Sequence, residues 1–146
     1  MGINTRMMLD IREISKALFD AVEGVCSKTY LQDRPSSVSE KVQDYLVVSL
    51  PVSFLNSEIG GNGEYGYWTT TARFTIFTKD RITASSPASI NINLLSERLQ
   101  RLTNKFPINI PGVVRVSRPN ILVSNHDGNG FHYCIVQAEL TTLVNE

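Results

Sequence analysis

The sequence predicts an α+β fold: an antiparallel β-sheet with two amphipathic helices packed on one face, forming a two-layer sandwich. Three observations predict it. Apolar residues step by three or four in two stretches, residues 7–25 and 90–102, which is the period of one buried helix face. Other segments alternate with period two, the longest being "YWTTTARFTIFTK", as a strand with one face in the core requires. Hairpin loops join these segments, which favours antiparallel pairing, and two helices suffice to cover one face of such a sheet.

The first helix buries Met7, Ile11, Ile14, Leu18, Ala21 or Val22, and Val25, and turns Arg12, Glu13, Lys16, Asp20 and Glu23 to solvent. Gly24 and the residues after it end it. A polar, Ser-rich connector containing Pro35 follows, with a short strand near Tyr30. "DYLVVSLPV" is a strand with Leu46, Val48 and Leu50 on one face, and Pro51 marks its end or an edge. The long strand runs from about Tyr67 to Lys79. Trp68, Thr70, Ala72, Phe74 and Ile76 share one side, and Thr69, Thr71, Arg73 and Thr75 the other. Ser86 and Pro87 read as the N-cap and first residue of the second helix. Ile90, Leu94 or Leu95, Leu99 and Leu102 form its buried stripe, with Arg98 and Arg101 facing away. Two prolines in "FPINIPG" break it. "VVRVS" and "NILVSN", separated by Pro119, are one bent edge strand or two short ones. "HDGNG" is a hairpin turn, and "FHYCIVQAELTTLV" is the last strand. Its inner face is Cys134, Val136, Ala138 and Leu140.

The 146 residues fit one domain, 1–146, large enough to bury a core without disulfides. Basic and acidic residues balance at 14 each, so no strong field steers the chain to nucleic acid or an anionic membrane. Only 19% of residues are charged, against roughly 25% in ordinary domains. Interface cores are likewise depleted of charge. Cys26 and Cys134 read as buried free thiols of a reducing compartment. Without an apolar leader or a run long enough to span a bilayer, the expected location is the cytoplasm.

"IGGNGEYGYWTTTARFTIF" raises the question of a phosphate-cradling loop. Such loops work because a helix follows and offers free N–H groups. Here a β-branched and aromatic run follows, so the reading is a hairpin loop with glycines at positive φ. Tyr65, Tyr67 and Trp68 beside it are residue types that interfaces favour. His126, Asp127 and His132 surround the later turn, but their spacing matches no known metal-ligand pattern, and the turn alone explains Asp127. Cys134 and His132 share a face that runs into the core, which argues against a reactive thiol. No pair of acids is spaced for acid–base work. Arg73, Arg81, Arg98, Arg101, Arg115 and Arg118 could line one surface, though solvated or ion-paired arginines are the commoner case. A polar sheet face of Thr69, Thr71, Thr75, Gln137, Glu139 and Thr141 suits either solvent or a second subunit. No catalytic residue, metal or cofactor is expected.

The order of elements, from "ISKALFDAVEG" through "QDRPSS", "DYLVVSLPV", "TARFTIFTKD" and "INLLSERLQRL" to "FHYCIVQAELTTLV", resembles the tail-terminator and tail-completion proteins of long-tailed bacteriophages and prophages. The resemblance covers most of the chain and rests on order, size and local pattern. It implies a non-enzymatic α+β subunit that self-associates into a ring, commonly a hexamer. The ring caps the tail tube, meets tail-tube and head-completion proteins, and passes from host cytoplasm into the virion. It implies neither a membrane nor a sequence-specific nucleic-acid partner. On this reading, loop 56–68 and hairpin tip 125–130 make the contacts, with Asn56, Glu58, Tyr65, Tyr67, Trp68, Arg73, His126 and Asp127 as interface residues. The alternatives are a small ferredoxin-like ligand-binding domain or enzyme, and an adaptor that pairs through its sheet edge.

Overall fold

The computed structural model describes residues 10–32, 42–50, 54–59, 65–83, 86–110, 113–127 and 130–142. The first element is helix α1 (Ile11–Val22). Asp10 caps it by accepting the Glu13 N–H at 3.0 Å, and Lys16 pairs with Asp20 one turn on. Ile14, Leu18 and Val22 are buried as their spacing requires, while Ile11 is exposed and Met7 lies outside the described residues. Gly24 ends the helix in the left-handed region, with φ +94°.

The strands are β1 (Lys28–Leu31), β2 (Asp44–Ser49), β3 (Leu55–Ile59), β4 (Tyr65–Lys79), β5 (Arg81–Thr83) and β6 (Ser86–Ser89). After helix α2 (Ile92–Thr103) come β7 (Ile108–Ile110), β8 (Val114–Val116), β9 (Asn120–His126) and β10 (Phe131–Thr142). β4 and β10 form an antiparallel spine from Phe131↔Lys79 to Thr141↔Thr69. β2 and β3 follow one another along the outer edge of β4, in registers Asp44↔Thr78 to Ser49↔Arg73 and Leu55↔Thr69 to Ile59↔Tyr65. β9 and β8 flank β10 in the same way, with the break at residues 117–119. Pro119 has no N–H to give a ladder there, so the expected edge segment is two short strands. β7 pairs with β8, and β1 runs parallel to β2.

This architecture corrects the expected antiparallel two-layer sandwich. The molecule is mostly sheet, and that sheet is mixed and curled into a half-barrel. Two physical causes stand out. Strands as long as β4 and β10 carry the right-handed twist of every strand through many residues, so the sheet rolls up instead of lying flat. The region expected to open the second helix forms strands instead: β5 and β6 pair as a separate two-stranded sheet. Helix α2 therefore starts later than Ser86 and Pro87 indicated. Its cap is Asn91, whose side chain accepts the Leu94 N–H at 3.2 Å.

The main core joins both helices to the sheet through Leu18, Val22, Leu46, Phe74, Leu102 and Val136. Phe106 meets Phe74 edge-on at 5.3 Å. A second cluster lies on the other face of β2, β4 and β10, where Tyr45 stacks on Phe77 at 4.6 Å and meets Phe131 edge-on. Strand β2 is therefore buried on both faces, which explains why "DYLVVS" reads as a nearly continuous apolar run.

Candidate functional site

The glycine-rich stretch joins two strands, and strand β4 follows it where a phosphate loop would need a helix. Much of the expected loop 56–68 is paired: Asn56 stands opposite Trp68, Glu58 opposite Gly66 and Ile59 opposite Tyr65. Residues 60–64 lie outside the described residues, as do the side chains of Asn56, Glu58, Tyr65 and Tyr67. Among the described residues, positions 65–67 of β4 pair with β3 alone, whereas β10 joins the ladder from Thr69 onward. Among the described residues, this leaves a two-stranded arm at that end of the sheet. Thr142 closes its base, its hydroxyl accepting the Trp68 N–H at 3.1 Å. Leu55 is 67% exposed on this arm. The buried Trp68 Nε1 has no hydrogen-bond partner among the described residues.

The expected interface residues do not form one patch. Arg73 is exposed and opposite Gln137, on the polar face that also carries Thr71 and Glu139. His126 and Asp127 lie at the β9–β10 turn, level with the Lys79 end of the spine. At about 3.3 Å per residue, that turn and the arm are roughly 30 Å apart. Asp127 shapes the turn. Its N–H donates to the Phe131 carbonyl at 2.9 Å, and its Oδ1 accepts the Phe131 N–H at 3.0 Å. Gly130 supplies the positive φ of +89°.

A buried polar row crosses the sheet at this second end. Asp44 stands opposite Thr78, and Thr78 opposite His132. Asp44 is fully buried and accepts from the Ser27 hydroxyl at 2.6 Å, the Ser27 N–H at 3.0 Å and Arg98 Nε at 2.7 Å. Burial pushes the Asp44 carboxyl up, but the hydrogen bonds from Arg98 and Ser27 outweigh it and hold it below its ordinary value. Arg98 is pushed up in turn, first by its hydrogen bond to Asp44. This overturns the expectation that Arg98 faces away from the core. Its long stem lets the guanidinium fold back over the sheet end, while Arg101 stays exposed and pairs with Glu97. The six arginines accordingly do not line one surface.

At the other end of the row, Asp80 Oδ1 and His132 Nδ1 are 2.5 Å apart, with the Asp80 side chain 1% exposed. The Asp80 N–H donates to the Gly130 carbonyl at 2.8 Å, which ties the end of β4 to the turn. Asp80 and Asp44 were not singled out in the sequence, because their partners lie 52 and 54 residues away and no local spacing marks them. Between the two pairs, the buried Thr78 hydroxyl has no hydrogen-bond partner among the described residues.

Cys26 and Cys134 are buried free thiols. Burial raises both above the ordinary thiol value, and the Asp44 charge raises Cys26 further. An open cleft of about 450 Å³ lies where the two helices end, lined by Glu23, Gly24, Val25, Arg101, Asn104 and Lys105. Among the described residues, no three His, Cys, Asp or Glu side chains are grouped to hold a metal, and no helix is long and apolar enough to cross a membrane. No protein-family model matches the chain, and no curated protein matches it in sequence.

Proposed function

We propose that this chain is a structural, non-enzymatic subunit of a phage or prophage tail. It closes into a ring, caps the tail tube and joins it to the head, assembling in the host cytoplasm and remaining in the virion. The β3–β4 arm carries the reading. A two-stranded ribbon is at best marginally stable in water, so an arm held, among the described residues, by one strand pair is well suited to being covered by a neighbour. Its exposed Leu55, and the aromatic residues 65, 67 and 68 in its sequence, are of the kind that anchor interfaces. The low charge and polar β face support the same reading, and a ring needs only one such heterologous contact, repeated until it closes.

A decisive variant replaces residues 58–66 with Asn-Gly, which joins Ser57 to Tyr67 through a two-residue turn in the observed register. The expected protein folds with its core intact but neither assembles nor binds tail tubes. Normal assembly and tube binding by this variant would remove the arm from the proposal.

The open cleft at the helix ends is the observation that favours a second reading, a small ligand-binding domain. The ferredoxin-like version of that reading calls for a split βαβ order, which the observed sequence of elements does not follow.

A further inference from the structure

The two helices end on one shared space and bring opposite charges to it. Helix α1 has no basic residue in its last turn, so the negative end of its dipole is not compensated on the helix itself. Glu23 follows and adds a carboxylate. Gly24 then turns through φ +94°, and a Cβ built on it would meet no atom within 4 Å, so the chain borders open space at that point. Helix α2 brings the other sign. Arg101 stands in its last turn, Asn104 is its C-cap and Lys105 comes next. These residues and the buried Val25 line the open cleft of about 450 Å³. Small-molecule sites occupy about 300–1,000 Å³.

The two signs do not cancel across the cleft. Among the described residues, neither Glu23 nor Lys105 forms an ion pair. Arg101 pairs with Glu97, one turn back on its own helix, through Nη2 at 2.8 Å. A guanidinium has five N–H donors, so this pair leaves others for a ligand. A simple anion would meet Glu23 and the end of α1, and a simple cation would meet Arg101 and Lys105. A molecule that carries both charges matches both walls. We propose that the cleft binds a small zwitterion of the amino-acid class. Its ammonium lies toward Glu23 and the end of α1, and its carboxylate toward Arg101 and Lys105. The Asn104 amide, both donor and acceptor, serves either group. This proposal rests on the cleft alone, so it stands or falls separately from the tail reading.

The test is NMR titration of the whole chain with each standard amino acid singly, following the backbone amides of residues 23–25 and 104–105. At least one amino acid should saturate in the millimolar range and move both groups of amides together. Its N-acetyl derivative lacks the ammonium, and its carboxamide lacks the carboxylate. Each should bind about tenfold more weakly or worse, as loss of a charged hydrogen bond implies. Glu23→Gln and Lys105→Gln alter exposed side chains and should keep the fold. The first should erase the preference over the N-acetyl form, and the second the preference over the carboxamide. The proposal is overturned if no amino acid saturates, if the amides of only one wall respond, or if both derivatives bind as tightly as the amino acid. These readouts require no variant. It is equally overturned if both variants bind the amino acid as the parent does.

Discussion

At the scale of single residues, Asp44 does the most to join separate parts of the chain. It holds Ser27 at the end of the α1–β1 turn and Arg98 on α2, from its own place at the start of β2. A buried ion pair is costly to break from one side, because the remaining charge is stranded without water. Arg98→Met should therefore lower unfolding free energy by about 3–5 kcal/mol in urea titrations at neutral pH. The double variant Asp44→Asn with Arg98→Met should recover part of that loss. Acid sensitivity follows with a definite sign. The folded Asp44 carboxyl is held below its ordinary value, so its contribution is present above the unfolded carboxyl range near pH 3.9. That contribution is lost as pH falls through the folded value. Stability measured from neutral pH downward should drop less steeply below about pH 4 in Asp44→Asn than in the parent. The two thiols lead to a separate expectation. Both are buried, with their thiolates disfavoured. An aromatic disulfide reagent should label neither in the folded protein and both in denaturant; rapid labelling of either in native buffer would contradict the packing.

At the scale of elements, the sequence was most legible where one period ran long. The apolar stripe of α1 from Ile14 to Val22, the alternation of β4 over residues 71–76 and that of β10 over residues 134–140 matched their burial, because each repeats several times. The β9–β10 hairpin was legible from its Asp and Gly composition; Asp127 and Gly130 stand at its two sides, and residues 128 and 129 lie outside the described residues. The start of α2 was not. Ser86-Pro87 has the chemistry of a helix start, yet pairing of β5 with β6 claims those residues, and Asn91 caps the helix instead. Local preference lost there to a partner strand. The parallel β1, the curl of the sheet and the inward Arg98 were hidden for a related reason. Each depends on contacts between distant residues, and a single strand or helix pattern does not record which neighbour it meets. The candidate site divides the same way. The aromatic arm was visible in composition, whereas the partners of Asp44 and His132 appeared only once the strands were in register.

At the scale of the whole molecule, the two ends of the β4–β10 spine have different characters. One end carries the arm, held among the described residues by a single strand pair and bearing an exposed Leu55. The other carries the hydrogen-bonded turn and the buried polar row, tied together by Asp80 and Asp44. A ring needs one heterologous contact repeated until it closes, and an exposed arm at one end of a firm body suits the proposed role. The central claim is that the chain closes on copies of itself, and native mass tests it most directly. Light scattering after gel filtration, over a concentration series, should give one discrete closed oligomer. That species should collapse to a monomer when the arm is shortened. A strict monomer at every concentration, with or without tail tubes present, would contradict the account.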